Sequence, residues 1–156
     1  MNETIKVQIN NTIHEYPKNI TLLEISKDFQ KDYAHDIILA FVDKKLRELF
    51  KTVNRDCKIS FVTTADDAGH KTYIRGMILV MLKAFYSEIG TENIEKVAIE
   101  YSVGNALYCD YHGSVKLTAE HMEAIKNRMK DLVQRDIPFV KRSIGTDDAI
   151  ELFRQY

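Results

Sequence analysis

The chain has 156 residues, room for one large domain or two small ones. Its 22 Lys and Arg stand against 23 Asp and Glu, a formal net charge of −1, and both signs are spread along the chain. That balance excludes a uniformly basic nucleic-acid binder, so any RNA contact has to be local.

Taken in order, Thr4 to Gln8 alternates apolar and polar residues, with Ile5 and Val7 on one side, and reads as a strand. Asn10-Asn11 is a turn signal, and Thr12 to Tyr16 is the returning strand. Thr21-Leu-Leu-Glu24 is a capping box, in which a hydroxyl and a carboxylate satisfy the first free amides of a helix. That helix carries Leu22, Ile25 and Phe29 at three–four spacing, with Leu23 beside them, and fades near Tyr33. Ile37 to Val42 is an apolar run of strand length, Lys44-Lys45 a polar turn, Leu46 to Leu49 a short strand and Cys57 to Thr63 a longer one. Strand, strand, helix, then further strands is a β-grasp order. His14 in a strand and His35 in a loop read as surface or half-buried side chains. Lys44, Lys45 and Arg47 form a small basic cluster, either solvated charge or contacts to an RNA phosphate backbone.

Asp66-Asp67 and Gly69 make a polar joint before HKTYIRGMILVMLKAFYSEI, a long helix apolar on nearly every side from Met77 to Leu82. Such a helix belongs inside a protein or a membrane. Arg75 and Lys83 interrupt the run, which falls short of the ~20 apolar residues that span a bilayer, so a core helix is expected and no membrane contact. Gly76 inside it implies a close neighbour, and Gly90 suits a left-handed cap. Arg75 reads either as a guanidinium reaching solvent or as an anion-binding group in a cleft. Lys96 to Tyr101 and Ala106 to Tyr111 are strands around a three-residue loop, Val103-Gly104-Asn105. Thr118 is an N-cap for a helix with a stripe of Met122, Ile125, Met129 and Leu132, and His121 beside that stripe reads as half-exposed. Phe139 to Ile144 reads as a short strand after Pro138, and Thr146 as the cap of a last helix with Ala149, Ile150, Leu152 and Phe153 as its apolar positions. A domain rarely ends inside a helix, so the ending at Tyr156 implies a C-terminally truncated second domain.

No GxxxxGK[ST] loop occurs, so these residues do not bind ATP in the P-loop manner. No secretory leader is read at the start, and Cys57 and Cys109 are expected as reduced thiols in a cytoplasmic protein. Cys109 and His112 resemble a metal fragment. On a strand, however, an odd separation points them to opposite faces, and a site needs more ligands, so no metal is expected.

The segments NETIKVQINNTIHEYPKNITLLEIS, DIILAFVDKKLRELFKTV and DCKISFVTTADDAGH resemble a TGS domain, the β-grasp module of threonyl-tRNA synthetases, some GTPases and stringent-response enzymes. HKTYIRGMILVMLKAFYSEI, EYSVGNALYCDY, LTAEHMEAIKNRMKDLVQRDIPFVKRSI and DDAIELFRQY resemble the SAD-like editing domain that follows TGS in those synthetases. The same pair precedes a uridine-kinase-like domain in certain bacterial proteins, and YIRGMILVMLKAF and EYSVGNALYCD look closer to that group. The resemblance implies an α+β chain: a TGS β-grasp domain over 1–65, then a SAD-like domain over 66–156 with a central buried helix against an antiparallel sheet.

Editing synthetases carry His-x-x-x-His on the central helix. Through TTADDAGHKTYIRG the same positions here hold Arg75 and Leu79. An Arg is neither base nor metal ligand, and a Leu is neither as well, so no catalytic residue is assigned. The expected remainder is a ligand cleft lined by Arg75, Tyr101, Ser102, Tyr108 and Asp110, able to stack on and hold a nucleotide or an RNA end. The leading expectation is a non-catalytic binding or regulatory front region of a nucleoside-kinase-like protein, recognising RNA or a nucleotide. The alternatives are a deacylase fragment of a threonyl-tRNA-synthetase-like protein, and a spacer or oligomerisation unit. No cofactor is expected in this chain. ATP and Mg²⁺ belong to a downstream kinase or synthetase domain.

Overall fold

Ile5, Val7 and Ile9 point the same way from β1 (Thr4–Ile9) and are all buried, while Thr4 and Lys6, on the other side, are exposed. This is the alternation of a sheet covered on one face. In the computed structural model, which describes residues 3–104 and 106–154, the chain forms two compact units, Met1–Leu79 and Val80–Tyr156.

In the first unit, Asn10 and Asn11 take φ of 48° and 66° and turn β1 back into β2 (Thr12–Pro17). Two successive positive φ values match the twist of a tight hairpin, and Asn tolerates them. A two-residue β3 (Ile20–Thr21) follows, too short to show a period in the sequence. In α1 (Leu22–Phe29) the capping box forms as expected. The Glu24 N–H donates to Thr21 Oγ1 at 3.1 Å, and the Thr21 N–H donates to Glu24 Oε2 at 3.0 Å. Leu22, Ile25 and Phe29 are buried, and Leu23 is exposed.

Then come β4 (Ile37–Val42), β5 (Lys45–Glu48), β6 (Thr52–Val53), which pairs with β3, and β7 (Cys57–Thr63). The sheet order is β2-β1-β7-β4-β5, with β1 parallel to β7 and the remaining neighbours antiparallel. The first and last long strands thus lie side by side, with α1 packed on one face. This is the β-grasp arrangement that the strand order implies. The β4–β5 turn is Asp43-Lys44, at φ 48° and 68°, so Lys45 belongs to the strand and not to the turn. Asp43 fixes that register: its N–H donates to the Lys58 carbonyl and its Oδ1 accepts the Lys58 N–H, both at 2.9 Å. His14 is half-buried, edge-on to Phe29 with centroids 5.1 Å apart.

The end of β7 fixes the start of α2 (Asp67–Ile89). Asp66 Oδ2 accepts the Thr63 N–H at 2.7 Å and the Thr63 hydroxyl at 2.9 Å. These bonds hold its carboxyl below the usual carboxylate range. Gly69 then lies so close to the strand end that a Cβ on it would sit 1.8 Å from the Thr63 carbonyl oxygen. Gly76 is the reverse of its expectation. Apart from its own helix backbone, no atom lies within 4 Å of where its Cβ would be, so close packing does not explain it.

In the second unit, the C-terminal half of α2 packs with β8 (Ile94–Val103), β9 (Ala106–Gly113) and α3 (Ala119–Gln134) around Ala84, Phe85, Ile89, Ile125 and Leu132. Burial on α2 is uneven: Phe85 and Ile89 are covered, whereas Tyr73, Leu79 and Tyr86 are exposed. Gly90 has the positive φ expected, 87°, but with ψ of 134° it leads into an extended segment. Val103 pairs with Ala106 and so ends β8 instead of entering the loop; Asn105 lies outside the described residues. Thr118 caps α3, and the reciprocal acceptor is the ring nitrogen Nδ1 of His121, 3.2 Å from the Thr118 N–H. Met122 is exposed and leaves the apolar stripe. Arg128 Nε donates to Glu88 Oε1 at 2.6 Å and ties α3 to α2.

Two C-terminal expectations need correcting. Residues 139–144 form no strand and are exposed, and the only strand pairing described in this unit is β8 with β9. Gly145, not Thr146, is the N-cap of α4 (Thr146–Phe153), whose Ile150, Leu152 and Phe153 are exposed. Tyr156 lies outside the described residues. Among the described residues no helix is long and apolar enough to cross a membrane.

The two glycines of α2 should respond oppositely to alanine. Gly76→Ala is expected to stabilise the chain by about 0.5–1 kcal/mol, the ordinary gain in an open helix. Gly69→Ala should destabilise it by roughly 1–3 kcal/mol, as overpacking does. Urea denaturation of both variants reads the difference. A second expectation concerns Tyr16, whose hydroxyl donates to Asp28 Oδ2 at 3.0 Å. Burial, then that carboxylate, pushes the phenol up from 10.0 to about 12. The fold therefore favours the protonated phenol. This contribution is complete below pH ~10 and is lost as pH rises towards 12. Ultraviolet titration should show one late tyrosine that disappears in Tyr16→Phe.

Candidate nucleic-acid interface

The sheet register divides the basic cluster of the first unit. Lys45 lies opposite Val42 and Arg47 opposite Ala40. Ala40 belongs to the core under α1 and Val42 packs against it, so both cations stand on that side of the edge strand. Lys44 lies elsewhere. With Phe41, Asp43, Lys58 and Ser60 it lines a groove of about 530 Å³. Phe41 is opposite Ser60 on β7 and opposite Leu46 on β5, on the sheet face turned away from α1. Lys58 is the groove residue that sequence reading missed. Its signal is the alternation in CKISFVT, where Lys58 and Ser60 interleave with the buried Ile59 and Phe61.

In the second unit, β8 and β9 gather three of the candidates on one face. Tyr101 and Tyr108 are opposite each other and stacked, with centroids 4.9 Å apart and planes 9° apart. Alternation places Asp110 on the same side as Tyr108. Its Oδ2 lies 2.8 Å from His112 Nε2 and 3.9 Å from Lys96 Nζ, and Lys96 also donates to Glu100 Oε1 at 2.9 Å. The Glu100 bond, with lesser help from Asp110, raises the Lys96 ammonium above its ordinary value. This face thus offers two exposed rings beside a network of alternating charge. Ser102 is opposite Leu107 and falls on the other face, away from the tyrosines.

Cys109 is opposite Ile99 and His112 opposite Lys96, and alternation separates thiol and imidazole as expected. Partial burial, and then Asp110, pushes the Cys109 thiol up. The Cys57 thiol is likewise raised, by burial first and then Asp43. Such thiols are less reactive at neutral pH than free ones. Among the described residues no three His, Cys, Asp or Glu side chains cluster so as to hold a metal ion.

Arg75 lies in the first unit, on α2, and is exposed. Leu79 follows one turn later on the same side of the helix and is also exposed. His70 is exposed as well, with Ile74 one turn after it. The exposed α2 surface at 75 and 79 therefore presents a fixed cation and an alkyl group, neither of which transfers a proton.

No protein-family model matches the chain. The chain is 30% identical over 141 residues to the threonine–tRNA ligase of Thermotoga neapolitana, an overlap of 90% of this chain and 21% of that protein. It is 30% identical over 141 residues to the threonine–tRNA ligase of Finegoldia magna (90% and 22%). Against that of Carboxydothermus hydrogenoformans it is 25% identical over 146 residues (94% and 23%). The chain spans about a fifth of the length of the curated relatives it matches. These relatives agree with the synthetase side of the resemblance and lend nothing to its nucleoside-kinase side.

The stacked tyrosines should be coupled. A double-mutant cycle of Tyr101→Ala and Tyr108→Ala, followed by urea denaturation, is expected to give about 0.5–1 kcal/mol of interaction. A coupling near zero would contradict the stacked pair.

Proposed function

We propose that this chain is a tRNA-binding part of a threonine–tRNA-ligase-like protein, without an ester-hydrolysing centre of its own. Its similarity to threonine–tRNA ligases over 90% of its length carries the first half of the reading. The α2 surface carries the second half. Where the editing resemblance calls for two imidazoles one turn apart, this chain has Arg75 and Leu79. The same resemblance supports a TGS-like domain over 1–65 and an editing-type domain over 66–156. ATP and Mg²⁺ would then act in a catalytic domain outside these residues, in a cytoplasmic protein.

The relatives' names favour this reading over a nucleoside-kinase front region. A net charge of −1 limits the number of phosphate contacts. Binding should therefore rest on few cations and on exposed rings such as Tyr101 and Tyr108. Arg75 fits as one of those cations, because a guanidinium pairs with phosphate without being able to hydrolyse an ester.

Titration of a labelled threonine-accepting tRNA at low and at physiological salt tests the binding half. The expected result is an affinity that falls with salt by the modest slope of a few contacts, about 0.7–0.9 per phosphate neutralised. An absence of binding even at low salt would overturn it and favour a spacer or oligomerisation unit.

A further inference from the structure

We infer that the groove between β4 and β7 of the first unit is a binding site for one unpaired nucleotide, with its base on the Phe41 ring and its phosphate between Lys44 and Lys58. The inference deepens the tRNA reading and rests on it for the source of the nucleotide. The site itself is read from the groove.

Phe41 is an aromatic residue that the sheet leaves partly bare, 37% exposed. Across the strand pair it faces Ser60, whose side chain is too small to cover a ring. The two lysines flank that ring from different elements. Lys58 precedes Ser60 by two residues on β7, so both point to the same face. Lys44 sits in the turn that follows β4, at φ 68°.

The nearby carboxylate does not neutralise them directly. Asp43 Oδ1 already accepts the Lys58 backbone N–H at 2.9 Å, and its Oδ2 is 3.4 Å from Arg55. The acid thus holds the turn in shape and leaves the two ammonium groups to a ligand. The volume, about 530 Å³, suits one small organic molecule. Beside the Asp43 carboxylate, whose other oxygen faces Arg55, a ring for stacking, two flexible cations and one hydroxyl form a set that recognises a base with its phosphate. Such a set reads single strands and not a duplex, because a paired base offers no free face.

Fluorescence anisotropy of the full chain with a labelled single-stranded hexaribonucleotide, and with the matched duplex, tests the site. Phe41→Leu keeps an apolar side chain opposite Leu46 while removing the aromatic face, and Phe41→Ala removes both. Each is expected to weaken single-strand binding about tenfold, the scale of one lost stacked base. Lys44→Ala with Lys58→Ala should lower the salt slope by about 0.7, the worth of the one phosphate they hold on a single strand. Lys45→Ala and Arg47→Ala, on the opposite side, should leave both quantities unchanged. Adenosine monophosphate that competes as well as the oligonucleotide would point to a free nucleotide as occupant and still support the groove.

Unchanged affinity in Phe41→Leu and Phe41→Ala, or equal binding of the duplex, would overturn the site. If tRNA still binds in those variants, the tRNA reading survives and only the groove is lost. If the hexanucleotide binds through Phe41 while tRNA does not bind at all, the groove survives and the tRNA reading falls.

Discussion

The contact of Gly69 with the Thr63 carbonyl sets where the long helix can begin. Thr63 is the last residue of β7 and is buried. Its N–H and hydroxyl are both taken by Asp66 three residues later. A side chain at Gly69 would collide with that strand end. The first turn of α2 is therefore laid directly against the sheet terminus. Within the first unit, Arg75 and Leu79 then follow on that helix one turn apart.

A second constraint is the sheet register, and it decides which charges act together. The sequence places Lys44, Lys45 and Arg47 within four positions, which suggests one patch. A tight turn with two positive φ values moves Lys44 to one side of the sheet and leaves Lys45 and Arg47 on the other. Asp43 enforces that turn through its two backbone bonds to Lys58. The same bonds bring Lys58 beside Lys44, although the two are fourteen positions apart in sequence. The hairpin of the second unit works alike. Pairing across β8 and β9 assembles Tyr101, Tyr108 and Asp110 from distant positions, while Ser102, next to Tyr101 in sequence, turns away.

Where local chemistry governs, the sequence was legible. The Thr21–Glu24 capping box, the Asn10-Asn11 turn and the alternation of β1 each depend on a few neighbouring residues, and each forms as read. Errors cluster where a partner elsewhere in the chain decides the outcome. Residues 139–144 have strand-like composition but do not join the β8–β9 pair. Gly76 implies a close neighbour that the fold does not supply. Met122 has helical spacing but falls outside the covered face of α3. His121 is half-exposed as read, and its further role as half of a capping pair is one that only the geometry of Thr118 makes visible. The groove around Phe41 was invisible for the same reason, since it is built from β4, β7 and the turn between β4 and β5.

In the proposed reading, exposed rings and a few cations hold a nucleic acid, while the exposed helix positions Arg75 and Leu79 carry groups that cannot move a proton. Incubation of the chain with threonine-accepting tRNA mischarged with serine tests this most directly. The account expects the ester to decay at its spontaneous rate, with or without the chain. Faster hydrolysis that disappears in Arg75→Ala would contradict it, because it would make α2 a catalytic element.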